Sequence, residues 1–120
     1  MRNHRKLKAF ELADSLVLQV YRGTITFPRE EQFGLMSQMR SAAVSTASNI
    51  VEGCARDSDA DYLRFLDMAY GSACELEYQI SVAHRLGFID AGAHDDLAQA
   101  ALETCRVLGS LIQTLRGRRD

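Results

Sequence analysis

Apolar positions recur along this chain at intervals of three and four, and no stretch alternates with period two. That pattern predicts an all-α protein. The first helix is expected over roughly residues 5–22, with Phe10, Ala13, Val17 and Val20 as its stripe and Leu16 and Tyr21 widening it. Gly23 suits the residue just past its end, and Gly23–Phe27 reads as a short extended connector, because the residue before a proline avoids the helical region. A second helix is expected over 28–55. Pro28 suits a first helical position, Glu30 and Glu31 favour the positive end of the helix dipole, and Met36, Met39, Ala43, Thr46, Ile50 and Gly53 form one face. A third is expected over 59–86, opened by Ser58 with Asp61 in the manner of a capping box. Its stripe is Tyr62, Leu66, Ala69, Ala73, Leu76, Ile80 and Ala83, and Gly87 with Phe88 would close it. Asp90 would cap a fourth over 91–116, whose stripe is Leu97, Ala101, Thr104, Leu108, Leu111 and Leu115. Four amphipathic helices with short connections predict one domain over 1–120, an antiparallel up-down-up-down four-helix bundle. Helices two and three would each be about 40 Å long at 1.5 Å per residue.

The second helix departs from the ordinary amphipathic plan. Ser41–Val51 carries no charge on any face. A surface helix normally shows water a charged side, so a helix without one is expected to be covered all round. The stretches 68–74 and 107–115 are also free of charge. These layers predict a homo-oligomer, with Ala42, Ala43, Val44, Ala47, Ile50 and Val51 as the expected packing residues. A glutamate at position 43 or 47 is expected to split or unfold the assembly by burying an unpaired charge.

Composition adds little except through its distribution. Over 120 residues, 47% are hydrophobic and 25% charged, as in ordinary globular domains. Three cysteines, an odd number with no Cys-x-x-Cys, argue against a disulfide framework or zinc site and for a reducing compartment. No apolar run approaches the ~18 residues of a membrane helix. The basic start lacks the apolar core of a signal peptide. A cytoplasmic location is therefore expected. The formal net charge is −2, yet Arg2, Arg5, Lys6 and Lys8 crowd the beginning and Arg116, Arg118 and Arg119 the end, while the rest is acidic. In an up-down-up-down bundle both ends meet, which predicts one basic pole beside the acidic turn at Asp57, Asp59 and Asp61. Such a pole is a candidate surface for RNA or DNA phosphates. No aromatic residue is interleaved with the cations to stack on bases.

Catalytic signatures are missing. His4, His84 and His94 are scattered, no Glu-x-x-His pair of a di-iron bundle occurs, and neither a metal nor a cofactor is expected. There is no glycine-rich phosphate loop or nucleophile motif. Nor is there an Arg followed four to six residues later by His, as in small helical RNases of the HEPN type. The expectation is a non-enzymatic protein. Gln38, Ser45, Asn49 and Glu52 share one side of helix two and read as a polar seam. Folding back about residue 57 would bring Arg40 level with Glu75 and Ser45 level with Ala69, and an Arg40–Glu75 pair, if buried, would cost several kcal/mol to break on one side only.

Four blocks carry a resemblance: FPREEQFGL (27–35), QMRSAAVSTASNIVEG (38–53), FLDMAYGSACELEYQ (65–79) and LGFI (86–89). In order and spacing they resemble the four helix bundle protein family, also called S23 ribosomal protein or 23S rRNA intervening-sequence protein. This chain differs at Ser41, where relatives often carry a second arginine, and at Thr46, where isoleucine is common. The resemblance implies an antiparallel bundle that assembles as a ring, often a pentamer. Some relatives are encoded within rRNA intervening sequences. Others look like accessory proteins of diversity-generating retroelements, basic bundles that bind a reverse transcriptase and nucleic acid. Two roles follow as expectations: a self-assembling scaffold or adaptor for a protein partner, and a nucleic-acid accessory protein acting through its basic pole.

Overall fold

The computed structural model describes residues 2–119, and its regular elements among them are all helices. Its elements are α1 (Lys8–Gly23), α2 (Leu35–Cys54), α3 (Asp59–Arg85) and α4 (Ala91–Arg119), with single 3-10 turns at His4–Lys6 and Arg29–Glu31. Side-chain contacts give the directions. Arg2 N–H donates to the carbonyl of Cys54, so the start of α1 meets the end of α2. Ser72 Oγ donates to Ser45 Oγ at 3.1 Å, and Cys105 Sγ lies 3.9 Å from Glu77 Oε2. Each helix thus runs antiparallel to its neighbours. α1 packs on α2 and α4, and α3 packs on α2 and α4, without diagonal contacts, so the helices stand at four corners. The body measures 46 × 22 × 20 Å.

Local sequence explains most of the boundaries. Ser58 Oγ accepts from the Asp61 amide at 3.1 Å and starts α3. At the other end Gly87 has φ +79°, Phe88 N–H bonds the Ala83 carbonyl and Gly87 N–H bonds that of His84. This is a Schellman closure, and it needs a residue that enters the left-handed region cheaply. Asp90 Oδ1 accepts from the Ala93 amide at 2.8 Å and starts α4, which then runs three residues further than the spacing predicts.

Two starts and one connector differ from expectation. α1 opens at Lys8, after a turn capped by Asn3 Oδ1 on the Arg5 amide. α2 opens at Leu35 rather than Pro28. Pro28 has ψ 145° and precedes only the single turn Arg29–Glu31, and Gly34 then interrupts the chain. The Glu31 carboxylate folds forward to accept from the Leu35 amide at 2.9 Å. A Cβ on Gly34 would sit 2.9 Å from that oxygen, so the glycine makes room for the cap. The connector after α1 is a turn rather than an extended segment. Gly23 is the last helical residue, and Thr24 (φ −101°, ψ −2°) continues the spiral because its hydroxyl donates back to the Val20 carbonyl at 2.9 Å.

The core forms two apolar blocks. Leu16, Val20, Phe27, Met39, Leu76, Ile80 and Leu97 fill the end holding the α1–α2 and α3–α4 connections. Ala13, Ile50, Leu63, Leu66, Leu108 and Ile112 fill the end holding both termini. Fully buried Thr46 and Thr104 join neither block; their hydroxyls donate to Ala42 O and Ala100 O one turn back on their own helices. Such back-bonding is how a buried hydroxyl avoids the penalty of desolvation without a partner.

Candidate interaction surface

The charge-free segment of α2 is only partly covered. Ala42, Ala43 and Ile50 are buried within the chain's own bundle, Ala47 and Val51 are half-buried, and Ser41, Val44 and Ser48 face outward. The three buried residues therefore pack the single chain and cannot touch a second copy as they stand. The outward remainder borders an open groove of about 590 Å³ between α1 and α2, lined among others by Tyr21, Phe33, Met36, Arg40 and Val44. Phe33 is 89% exposed, carried on the Glu31–Gly34 turn where it has no helix to pack under. Leu18 and Tyr21 on α1 and Ile25 in the turn after it follow at spacings of three and four and are all exposed.

Arg40 is the cation of this groove. Its Nε donates to Thr24 Oγ1 at 2.9 Å and its Nη2 to the Tyr21 carbonyl at 3.2 Å, while its Cζ stands 4.6 Å from the Tyr21 ring centroid. It thereby closes the carbonyl end of α1, a favourable place for a cation. The expected pairing with Glu75 does not form within the chain: Arg40 turns to α1, and Glu75, exposed on α3, accepts from Gln79 Nε2 at 3.1 Å. The expected seam contracts to Ser45, Asn49 and Ser72. Asn49 Nδ2 donates to the carbonyl and hydroxyl of Ser45, and Ser45 faces Ser72 rather than Ala69. Gln38 and Glu52 are exposed.

At the opposite end, the basic segments do meet the α2–α3 turn. Arg2 pairs with Asp59, donates to the Arg56 carbonyl at 2.9 Å and lies 4.1 Å over the Tyr62 ring. Arg116 pairs with Asp67 across α3. Two of the pole's cations are thus engaged by carboxylates. Arg5, Lys6, Lys8 and Arg118 are exposed, and the side chain of Arg119 lies outside the described residues.

The remaining chemistry-bearing groups are dispersed. His84 and His94 stack at 4.3 Å between ring centroids, with Asp95 Oδ1 3.1 Å from His94 Nδ1. Among the described residues no three His, Cys, Asp or Glu side chains are grouped to hold a metal ion, and no helix is long and apolar enough to cross a membrane. Cys54 and Cys105 are buried and Cys74 exposed. Burial first, then the neighbouring Cys74 and Glu77, pushes the Cys105 thiol up to about 12, and burial also raises Cys54. Raised thiols are the reverse of what a nucleophilic cysteine needs.

The model of one protein family, described as 23S rRNA-intervening sequence protein, matches residues 5–110. The chain belongs to this family. Among solved structures, the fold is shared with a protein of unknown function from the S23 ribosomal protein family of Bacteroides thetaiotaomicron. The TM-score is 0.78 at 20% identity, covering 87% of this chain and 97% of that one. No curated protein matches the chain. The family description and the structural relative name no reaction, and the S23 relative is itself of unknown function.

Family membership and fold agree with the helix pattern, whereas the surface residues were harder to see in advance. Phe33 and Thr24 escaped the sequence reading. An aromatic residue just before a glycine, in a segment taken for helix, was the available signal for Phe33. Nothing local marks Thr24, whose importance comes from an arginine sixteen residues away.

Proposed function

We propose that the chain is a non-enzymatic building block that assembles with copies of itself into a closed ring and serves as a scaffold or adaptor. The observation that carries this is the set of large apolar side chains left uncovered on α1, α2 and the turns between them, with Tyr21, Phe33 and Val44 in one groove and Leu18 and Ile25 exposed nearby in sequence, beside a helix with no charge between Ser41 and Val51. Large apolar side chains gathered at an exposed groove are a common mark of a protein–protein contact surface. The family resemblance favours five copies. Light scattering on the purified protein at micromolar concentration tests the reading. A monodisperse mass several times 13.4 kDa is expected, and a 13.4 kDa particle overturns it.

A second reading rests on a different observation. Arg5, Lys6, Lys8 and Arg118 are exposed at one end of the bundle, and a ring would repeat them around one rim. That rim is a surface for nucleic-acid phosphates. Anisotropy titration with structured RNA and with DNA, at low and moderate salt, tests it on the whole protein and on a form lacking residues 1–8 and 116–120. Affinity that falls steeply with salt and disappears on trimming supports the rim. Absence of binding at low salt refutes it and leaves the scaffold.

A further inference from the structure

Arg40 and Glu75 do not meet within the chain, yet they stand at nearly the same height on neighbouring sides of it. The Ser45–Ser72 contact fixes the register of α2 against α3. Counting back from it, position 40 is level with position 77, so Glu75 lies two residues away, about 3 Å along the axis. Tyr78 falls one residue on the other side of that level.

The two faces are complementary in charge. On the α1/α2 side, Arg40 has hydroxyl, carbonyl and ring partners, and among the described residues no carboxylate lies within salt-bridge range of it. Around it the groove is open and mixed, with Tyr21, Phe33, Met36 and Val44 as its apolar lining and Gln32, Ser37 and Ser41 among its polar lining. On the α2/α3 side, Glu75 is exposed and has only the Gln79 amide, while Tyr78 is 67% exposed.

We propose that one copy's groove receives the outer edge of the next copy's α3. Arg40 then pairs with the next copy's Glu75, and its Tyr78 seats against Tyr21, Phe33 and Met36. This inference rests on the assembly reading above and names the surfaces that assemble. With the helices at four corners, the α1/α2 and α2/α3 faces are adjacent and point roughly a right angle apart. Joining two different faces is a heterologous contact, and faces about a right angle apart turn each copy by about a quarter of a circle from the last, so the chain closes into a small ring. Closure about an axis parallel to the helices requires the partners to lie at one height, which Arg40 and Glu75 do. A two-fold contact, groove on groove, would instead set Arg40 against Arg40, which like charge disfavours.

The test compares masses by light scattering, with circular dichroism as the control for folding. Glu75→Arg and Tyr78→Glu change exposed side chains, so both are expected to keep wild-type helicity and to lose the ring mass. Arg40→Glu combined with Glu75→Arg is expected to regain it. Ring mass retained by both single variants overturns the pairing while the assembly reading stands. Loss in the single variants without recovery in the folded double variant also overturns the Arg40–Glu75 contact. A wild-type protein that is itself monomeric refutes the assembly reading and this inference with it.

Discussion

Gly53 lies at a close approach of α2 and α3, and it supplies a prediction with two opposing terms. A Cβ built on Gly53 would stand 2.9 Å from Phe65 Cβ, 3.3 Å from Tyr62 Cδ1 and 3.4 Å from the Tyr62 carbonyl oxygen. The first contact involves an atom fixed to the backbone of α3, so relief requires the helices to part by about half an ångström or more. Overpacking of this kind costs about 1–3 kcal/mol. Against it, alanine is favoured over glycine inside a helix by about 1 kcal/mol. Gly53→Ala is therefore expected to destabilise by about 1 kcal/mol, lowering the melting temperature by roughly 3–6 °C for a domain of this size. Gly71, in the middle of α3, is the control: nothing lies within 4 Å of its would-be Cβ. Gly71→Ala lacks the steric term and is expected to stabilise by about 0.5–1 kcal/mol. Urea unfolding followed by circular dichroism measures both, at several protein concentrations because assembly would add to apparent stability. Should Gly53→Ala equal or exceed the wild type, the close approach is not a constraint and the packing argument for this glycine is wrong.

Cys74 is expected to react with iodoacetamide in native protein at neutral pH well before Cys54 and Cys105, with all three reacting in urea; mass spectrometry that finds Cys105 labelled first contradicts its burial. The Cys105 thiol titrates near 12 in the folded chain against an ordinary 9.0, so the unfolded chain releases this proton first as pH rises. Its contribution to stability is intact below pH 9 and is lost between about 9 and 12, and Cys105→Ala should flatten that part of a stability–pH curve. Gly87→Ala forces a left-handed conformation on a residue with a Cβ and is expected to cost about 1–2 kcal/mol in thermal or urea unfolding; no change would mean that the end of α3 re-forms another way. Arg2→Ala removes the partner of Asp59 and the cation over Tyr62; it is expected to cost about 1 kcal/mol, with the salt-sensitive share small because Asp59 is largely exposed, and an unfolding curve identical to wild type refutes the docking of the amino-terminal segment.

What the sequence by itself determined about this protein is everything set by neighbours along the chain. The four apolar stripes specify which side of each helix turns inward. Ser58, Gly87 with Phe88, and Asp90 mark their boundaries because a cap bonds amides or carbonyls within one turn. Pro28 and the glutamates after it were ambiguous for the same reason: they suit a helix start and a short 3-10 turn equally, and the outcome turned on Gly34 and on Glu31 reaching forward to Leu35. Height along the bundle was nearly legible too, since antiparallel helices joined by a short turn leave only a residue or two of freedom. Azimuth was not. Arg40 could turn to α3 or to α1, and it turns to α1 because a buried hydroxyl, an open carbonyl and an aromatic face converge there from residues sixteen to nineteen positions earlier. Likewise, the missing charge on α2 signalled an unusual environment, but only the tertiary structure divides that helix into Ala43 and Ile50 inside the chain's own core and Ser41, Val44 and Ser48 on its outside. Burial is a property of what packs against a residue, and for the second side of α2 that neighbour comes from distant chain or from another copy.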